Sequence, residues 1–142
     1  MKRILITLIL IIGFANVNAQ TIEYNADLMS SVFLQDGMFS PWTGWEEVNS
    51  TIVFDKSNME IMLYEFDGNT QSFYVNHVYA PEEDDDGDIV YSFSVVDEQG
   101  VSLEVRMIMY VSMDDDLQIY FIYPHKKIAY AVEANRVKTK RK

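Results

Sequence analysis

The chain has 142 residues, no cysteine and a formal net charge of −11. Without cysteine it has no disulfides, thiolate metal sites or cysteine nucleophiles, and no lipidated cysteine can tether it behind a leader as a lipoprotein. So large an excess of carboxylates repels phosphate backbones and anionic lipid, which argues against nucleic acid as a partner.

Residues 1–19, MKRILITLILIIGFANVNA, have the build of a secretory signal. Lys2 and Arg3 give a positive start, Ile4 to Phe14 an apolar stretch, and Val17-Asn18-Ala19 a cleavage-like end. The apolar run is shorter than the roughly 20 residues that a helix needs to cross a bilayer, so no membrane span is expected. The remainder would start near Gln20 and be periplasmic or extracellular. Its length suffices for one soluble domain with a core of its own.

Segment 20–45 is expected to pack on that domain. Thr21 to Asp27 can add a strand, Leu28 to Gln35 a short capping helix, and Phe33, Phe39, Trp42 and Trp45 an aromatic cover at one mouth. From 46 to 133 the pattern is period two, rich in Val, Ile, Phe and Tyr, which argues strand. Val48, Ser50, Ile52 and Phe54 share one face. Met59, Ile61 and Leu63 follow, then Phe73 and Val75, then Ile89, Tyr91, Phe93 and Val95. Val101, Leu103, Val105, Met107 and Met109 make a fifth run, Leu117, Ile119 and Phe121 a sixth, and Ile128, Tyr130 and Val132 a seventh. The breaks between runs are short and rich in turn residues, so each reads as a hairpin. The expected fold is all-β, an antiparallel up-and-down meander of seven or eight strands closed or nearly closed into a barrel. Residues 134–142 form a basic tail.

A leader, tryptophan near the first strand and such a meander resemble the lipocalin-like superfamily of small barrels. That family carries Gly-x-Trp near its first strand; here Gly44-Trp45 lacks the spacer. The chain also resembles small secreted β proteins of unknown function of the Bacteroidetes type. The first resemblance implies a barrel that carries a small apolar ligand, and the second implies no activity.

In a meander, alternate turns share a rim. The acidic run at 81–88 then sits with the turns at 56–58 and 113–116, and the tail carrying Arg136, Lys138, Lys140, Arg141 and Lys142 emerges beside them. His77 falls on this rim and His125 on the opposite one, so the two do not share a site. Glu82, Asp84, Asp86, Asp88, Asp114 and Asp116 become candidate calcium ligands, because calcium takes about six to eight oxygens. From Glu82 to Gly87 the loop partly matches an EF-hand pattern. It departs by Glu in the first position and by Phe93 where a bidentate Glu belongs. An ion, the chain's own tail, a partner or water can each neutralise such a rim.

No catalytic motif is present, whether Gly-x-Ser-x-Gly, His-Glu-x-x-His or a phosphate-cradling glycine loop, so an enzyme is not expected. Met59, Phe73, Met107, Met109 and Phe121 would line the interior, either as a dry core or as the wall of an apolar ligand cavity. Outward positions such as Met62, Tyr64, Tyr74, Val78, Tyr110 and Tyr120 make a greasy outer face suited to a protein partner or to cover by segment 20–45. The expected role is therefore a small exported binding or interaction module with an acidic rim. The alternative is a lipocalin-like carrier.

Overall fold

The computed structural model describes residues 21–65, 67–111 and 116–132, and the backbone of 138–139. The expected leader, Asp114, Asp115, Arg136, Lys140, Arg141 and Lys142 lie outside the described residues.

Eight strands make the wall: β1 (Thr21–Gln35), β3 (Glu46–Asp55), β4 (Glu60–Tyr64), β5 (Thr70–Val78), β7 (Ile89–Asp97), β8 (Ser102–Tyr110), β9 (Asp116–Ile122) and β10 (Lys126–Val132). Three two-residue strands are appended. β2 (Met38–Phe39) and β11 (Lys138–Thr139) pair with β1, and β6 (Glu82–Glu83) pairs with β7. Every pairing is antiparallel, and β1 closes the wall on β10, from Ala26 opposite Val132 to Phe33 opposite Lys126. An open sheet of eight strands would present two unpaired edges, and closure pairs each with the other. The molecule is an up-and-down barrel, the architecture implied by the lipocalin-like resemblance.

Leu28–Gln35, expected as a short helix, instead extends β1 to 15 residues. A bulge between Ala26 and Leu28 shifts the register against both β3 and β10. Ile22, Tyr24 and Ala26 point inward before it, and Met29 packs on the core after it. Segment 20–45 is thus partly wall, and the barrel starts at Thr21 and not at residue 46. At the strand's end Asp36 (φ 50°) and Gly37 (φ 78°) form a two-residue turn into β2. Two successive left-handed residues match the twist of a hairpin, which is why Asp-Gly serves here.

The lumen is filled by side chains from opposite walls. Phe54 of β3 meets Phe93 of β7 with ring centres 5.5 Å apart, although β4 and β5 separate those strands in the wall. Phe73 of β5 meets Phe121 of β9 at 5.1 Å, and Phe121 touches Tyr130 edge-on at 5.8 Å. Ile52, Ile61, Phe73, Val95, Val105 and Ile119 have no exposure at all. Burying a side chain of this size contributes ~1.5–3 kcal/mol, so the filled lumen is the main source of stability.

Candidate functional site

The strand order fixes what each rim carries. The connections 56–59 and 79–88, the end of β8 and the start of β9 lie on one rim, and β11 pairs with Ile22 and Glu23 beside them. The connections 36–45, 65–69, 98–101 and 123–125 lie on the other.

On the acidic rim, Asp84, Asp86 and Asp88 bring one carboxylate oxygen each within 4.8 Å of one another. Asp84 organises the loop: its Oδ1 accepts from the amides of Asp86 (3.0 Å) and Asp88 (2.9 Å). The amide of Gly87 closes a turn on the Asp84 carbonyl, and its φ of 84° then turns the chain so that the Asp88 carbonyl accepts from the Asp84 amide at 2.9 Å. Asp88 is buried, and its Oδ1 accepts from the Val111 amide at 2.9 Å, tying this loop to the end of β8. Glu82 and Asp116, the other expected ligands among the described residues, do not join the triad. Glu82 belongs to β6, opposite Val90, and lines a groove on the outer wall. Asp116 is an exposed residue opposite Tyr110 at the start of β9. An EF-hand alignment starting at Glu82 fails here because that residue is already committed to a strand. Asp55, at the same rim, keeps its carboxyl below the usual range. Partial burial pushes it up, but hydrogen bonds from Ser57 and Asn58 outweigh that. Lys56 is buried beside it, and its Nζ has no hydrogen-bond partner among the described residues.

Of the expected interior set, Phe73, Met107, Met109 and Phe121 are buried in the core. Met59 is not. It sits in the turn before β4 with φ 52° and is exposed, because β4 starts one residue later than the alternation suggested. His77 packs edge-on against Tyr79 on the acidic side, and His125 lies near Tyr123 at the far rim, so the two are separate as expected.

The far rim holds a polar constellation that composition did not flag. Gln71 donates to Glu65 Oε2 at 2.9 Å, and Asp97 continues the inward row of Tyr91, Phe93 and Val95. Burial, followed by the charges of Asp97 and Glu65, pushes the Tyr123 phenol up to about 12. Tyr130 is raised as well, by burial first and then by Glu65 and Tyr123. The parity of Asp97 with Val95 was the available sign.

The largest departure from a bland barrel surface lies on the same rim, in the β1–β2 hairpin and the chain that follows it. Pro41 cannot donate to a ladder, so side chains continue the attachment to β1. Ser40 Oγ accepts from the Phe33 amide and Thr43 Oγ1 from the Ser31 amide, each at 3.1 Å. The amides of Ser40 and Thr43 return to the carbonyls of Phe33 and Ser31. This strap covers the outer side of β1 and β10, burying Val32, Ala129 and Ser30, and Trp42 reaches Tyr120 edge-on at 6.1 Å. It therefore covers part of the greasy outer face. Yet Phe33, Leu34, Phe39, Trp42 and Trp45 each remain about half exposed, and Met38 is 73% exposed. Tyr64, Tyr74, Val78 and Tyr79 are exposed elsewhere on the wall.

No protein-family model, curated protein or solved structure matches the chain.

Proposed function

We propose that this chain is a small exported, non-catalytic interaction module, and that it engages a protein partner through the strap at 33–45. The observation that carries this is the concentration of six exposed large apolar side chains within thirteen residues: Phe33, Leu34, Met38, Phe39, Trp42 and Trp45. Apolar patches of this kind mark contact sites, and Trp, Phe and Met are the side chains enriched in interface cores. The strap is also held firmly, by paired hydrogen bonds to β1 and by Lys127 Nζ 4.7 Å from the centre of the Phe39 ring. A preorganised surface loses little conformational freedom on binding. The aliphatic and aromatic filling of the lumen supports a non-catalytic role and weighs against a carrier of a small apolar ligand.

Trp42 and Trp45 are the only tryptophans, so tryptophan emission excited at the red edge, where the nine tyrosines do not absorb, reads this strap alone. Proteins from the exported fraction of the source cells would be captured on wild-type protein and on a Met38→Ser, Trp42→Ser, Trp45→Ser variant. A partner retained by the first, lost by the second, and shifting tryptophan emission to the blue when purified supports the reading. Identical capture by both proteins overturns it.

A further inference from the structure

We propose that a groove on the outer wall, distinct from the strap, binds a neutral saccharide. The groove has a volume of about 460 Å³, and Tyr79, Glu82, Ser92, Ser94, Ser102 and Glu104 are among the residues that line it. Small-molecule sites span ~300–1,000 Å³, so one or two sugar rings fit.

Its construction follows from the strand register. Val78 pairs with Phe93, and pairing resumes only at Glu82 opposite Val90, so residues 79–81 bow out from the wall. The Tyr79 amide bonds to the Ser92 carbonyl at 3.0 Å and fixes the root of the bow. Its ring leans edge-on against His77 at 4.4 Å and stays half exposed. The floor is the outward face of β7 and β8. There Ser92 lies opposite Arg106, Ser94 opposite Glu104, and Val96 opposite Ser102. Cross-strand neighbours are ~5 Å apart and same-face neighbours along a strand ~7 Å apart. The floor is thus a small grid of hydroxyls and carboxylates beside an aromatic wall.

The chemistry of the grid selects its ligand. The hydroxyls of Ser92, Ser94 and Ser102 can each both donate and accept. Arg106 directs Nε (3.1 Å) and its terminal nitrogen (2.8 Å) to the same Glu104 oxygen, Oε2, which leaves Oε1 to accept from a ligand. Glu82 is exposed at the edge and adds a second carboxylate acceptor. Alternating donors and acceptors suit sugar hydroxyls, while the Tyr79 ring offers an apolar face for the C–H side of a pyranose. Two carboxylates against one arginine repel phosphorylated, sulfated or uronic-acid ligands.

The test is titration of isotope-labelled full-length protein with three probes, followed by amide spectra: a glucose oligomer, an N-acetylglucosamine oligomer and a sulfated glycan. Saturable shifts confined to the amides of 79, 80, 82, 92–94 and 102–106 with a neutral probe are expected, with none from the sulfated glycan. Tyr79→Ala and Glu104→Gln should each weaken binding ~10-fold or more, as loss of a charge-assisted hydrogen bond or a stacking face does. Both side chains lie outside the core, and the amide spectrum itself reports whether each variant is folded. The proposal is overturned if neither neutral oligomer gives saturable shifts at these residues. It is equally overturned if both folded variants bind as wild type does.

Discussion

Alkaline pH is expected to unfold this barrel through its interior tyrosines. Tyr24 and Tyr130 are only 1% and 2% exposed. Burial raises both phenols well above their ordinary value, with Tyr91 adding to the effect on Tyr24 and Glu65 to that on Tyr130. Below pH ~10 the folded and unfolded chains both hold these protons, so stability does not depend on them. Above that pH the unfolded chain releases them while the folded chain cannot, so stability falls as pH rises towards the folded values. Each tyrosine contributes a slope of ~1.4 kcal/mol per pH unit, so the pair gives ~2.8. A domain of ordinary stability, ~5–15 kcal/mol, then loses several kcal/mol within two pH units. Tyr120 and Tyr123, raised mainly by burial, steepen the fall.

The assay is urea unfolding at a series of alkaline pH values, followed by circular dichroism, alongside phenolate absorbance. Part of the nine-tyrosine absorbance should appear only as the secondary structure is lost. A Tyr24→Phe, Tyr130→Phe variant should show a flatter stability profile above pH ~10, by about the slope of the two removed groups. If the variant and wild type lose stability in parallel, or if all phenols ionise before the barrel unfolds, the reasoning is wrong.

Phe121→Ala should lower stability by ~3–5 kcal/mol in urea unfolding, since it empties the centre of the Phe73–Phe121–Tyr130 contact. Ser30→Ala should leave stability unchanged or raise it by ~1 kcal/mol, because the buried hydroxyl has no partner among the described residues. Asp84→Ala should cost ~1 kcal/mol, seen as a lower melting temperature, by releasing two backbone donors from one carboxylate oxygen. Millimolar calcium should not shift melting, because backbone amides already occupy Oδ1 of Asp84 and Oδ1 of Asp88 in the triad. A rise reversed by chelator, and lost in Asp84→Ala, would overturn this expectation.

The wall was legible wherever one face is core and the other is solvent, as in β8, where Leu103, Val105, Met107 and Met109 alternate with half-buried neighbours. It was not legible in β1 beyond Ala26. There the bulge resets the parity, and the strap buries Ser30 and Val32 on the outer side, so LMSSVFLQ has no period of two. Met59 misled because a positive φ detaches it from the row that Ile61 and Leu63 define. The acidic loop was visible as letters, but its partners were not. Whether Glu82 joins Asp84 or the outer groove depends on a two-residue pairing with β7 that no periodicity announces. The groove itself arises from a register slip between β5, β6 and β7, which exists only once the strands are aligned.

The seam between β1 and β10 sets the order in which the chain can finish folding. Ala26 meets Val132 across more than a hundred intervening residues, and no earlier strand occupies that side of β1 between Ala26 and Phe33. Until the last wall strand arrives, the growing meander is a ribbon with two bare edges and a greasy inner surface. Such long-range closure is slow and leaves the intermediate open to pairing with its own kind. Shortening the chain within 126–132 would therefore do more than remove seven residues. It would turn a self-sealing cylinder into an open sheet able to recruit another copy.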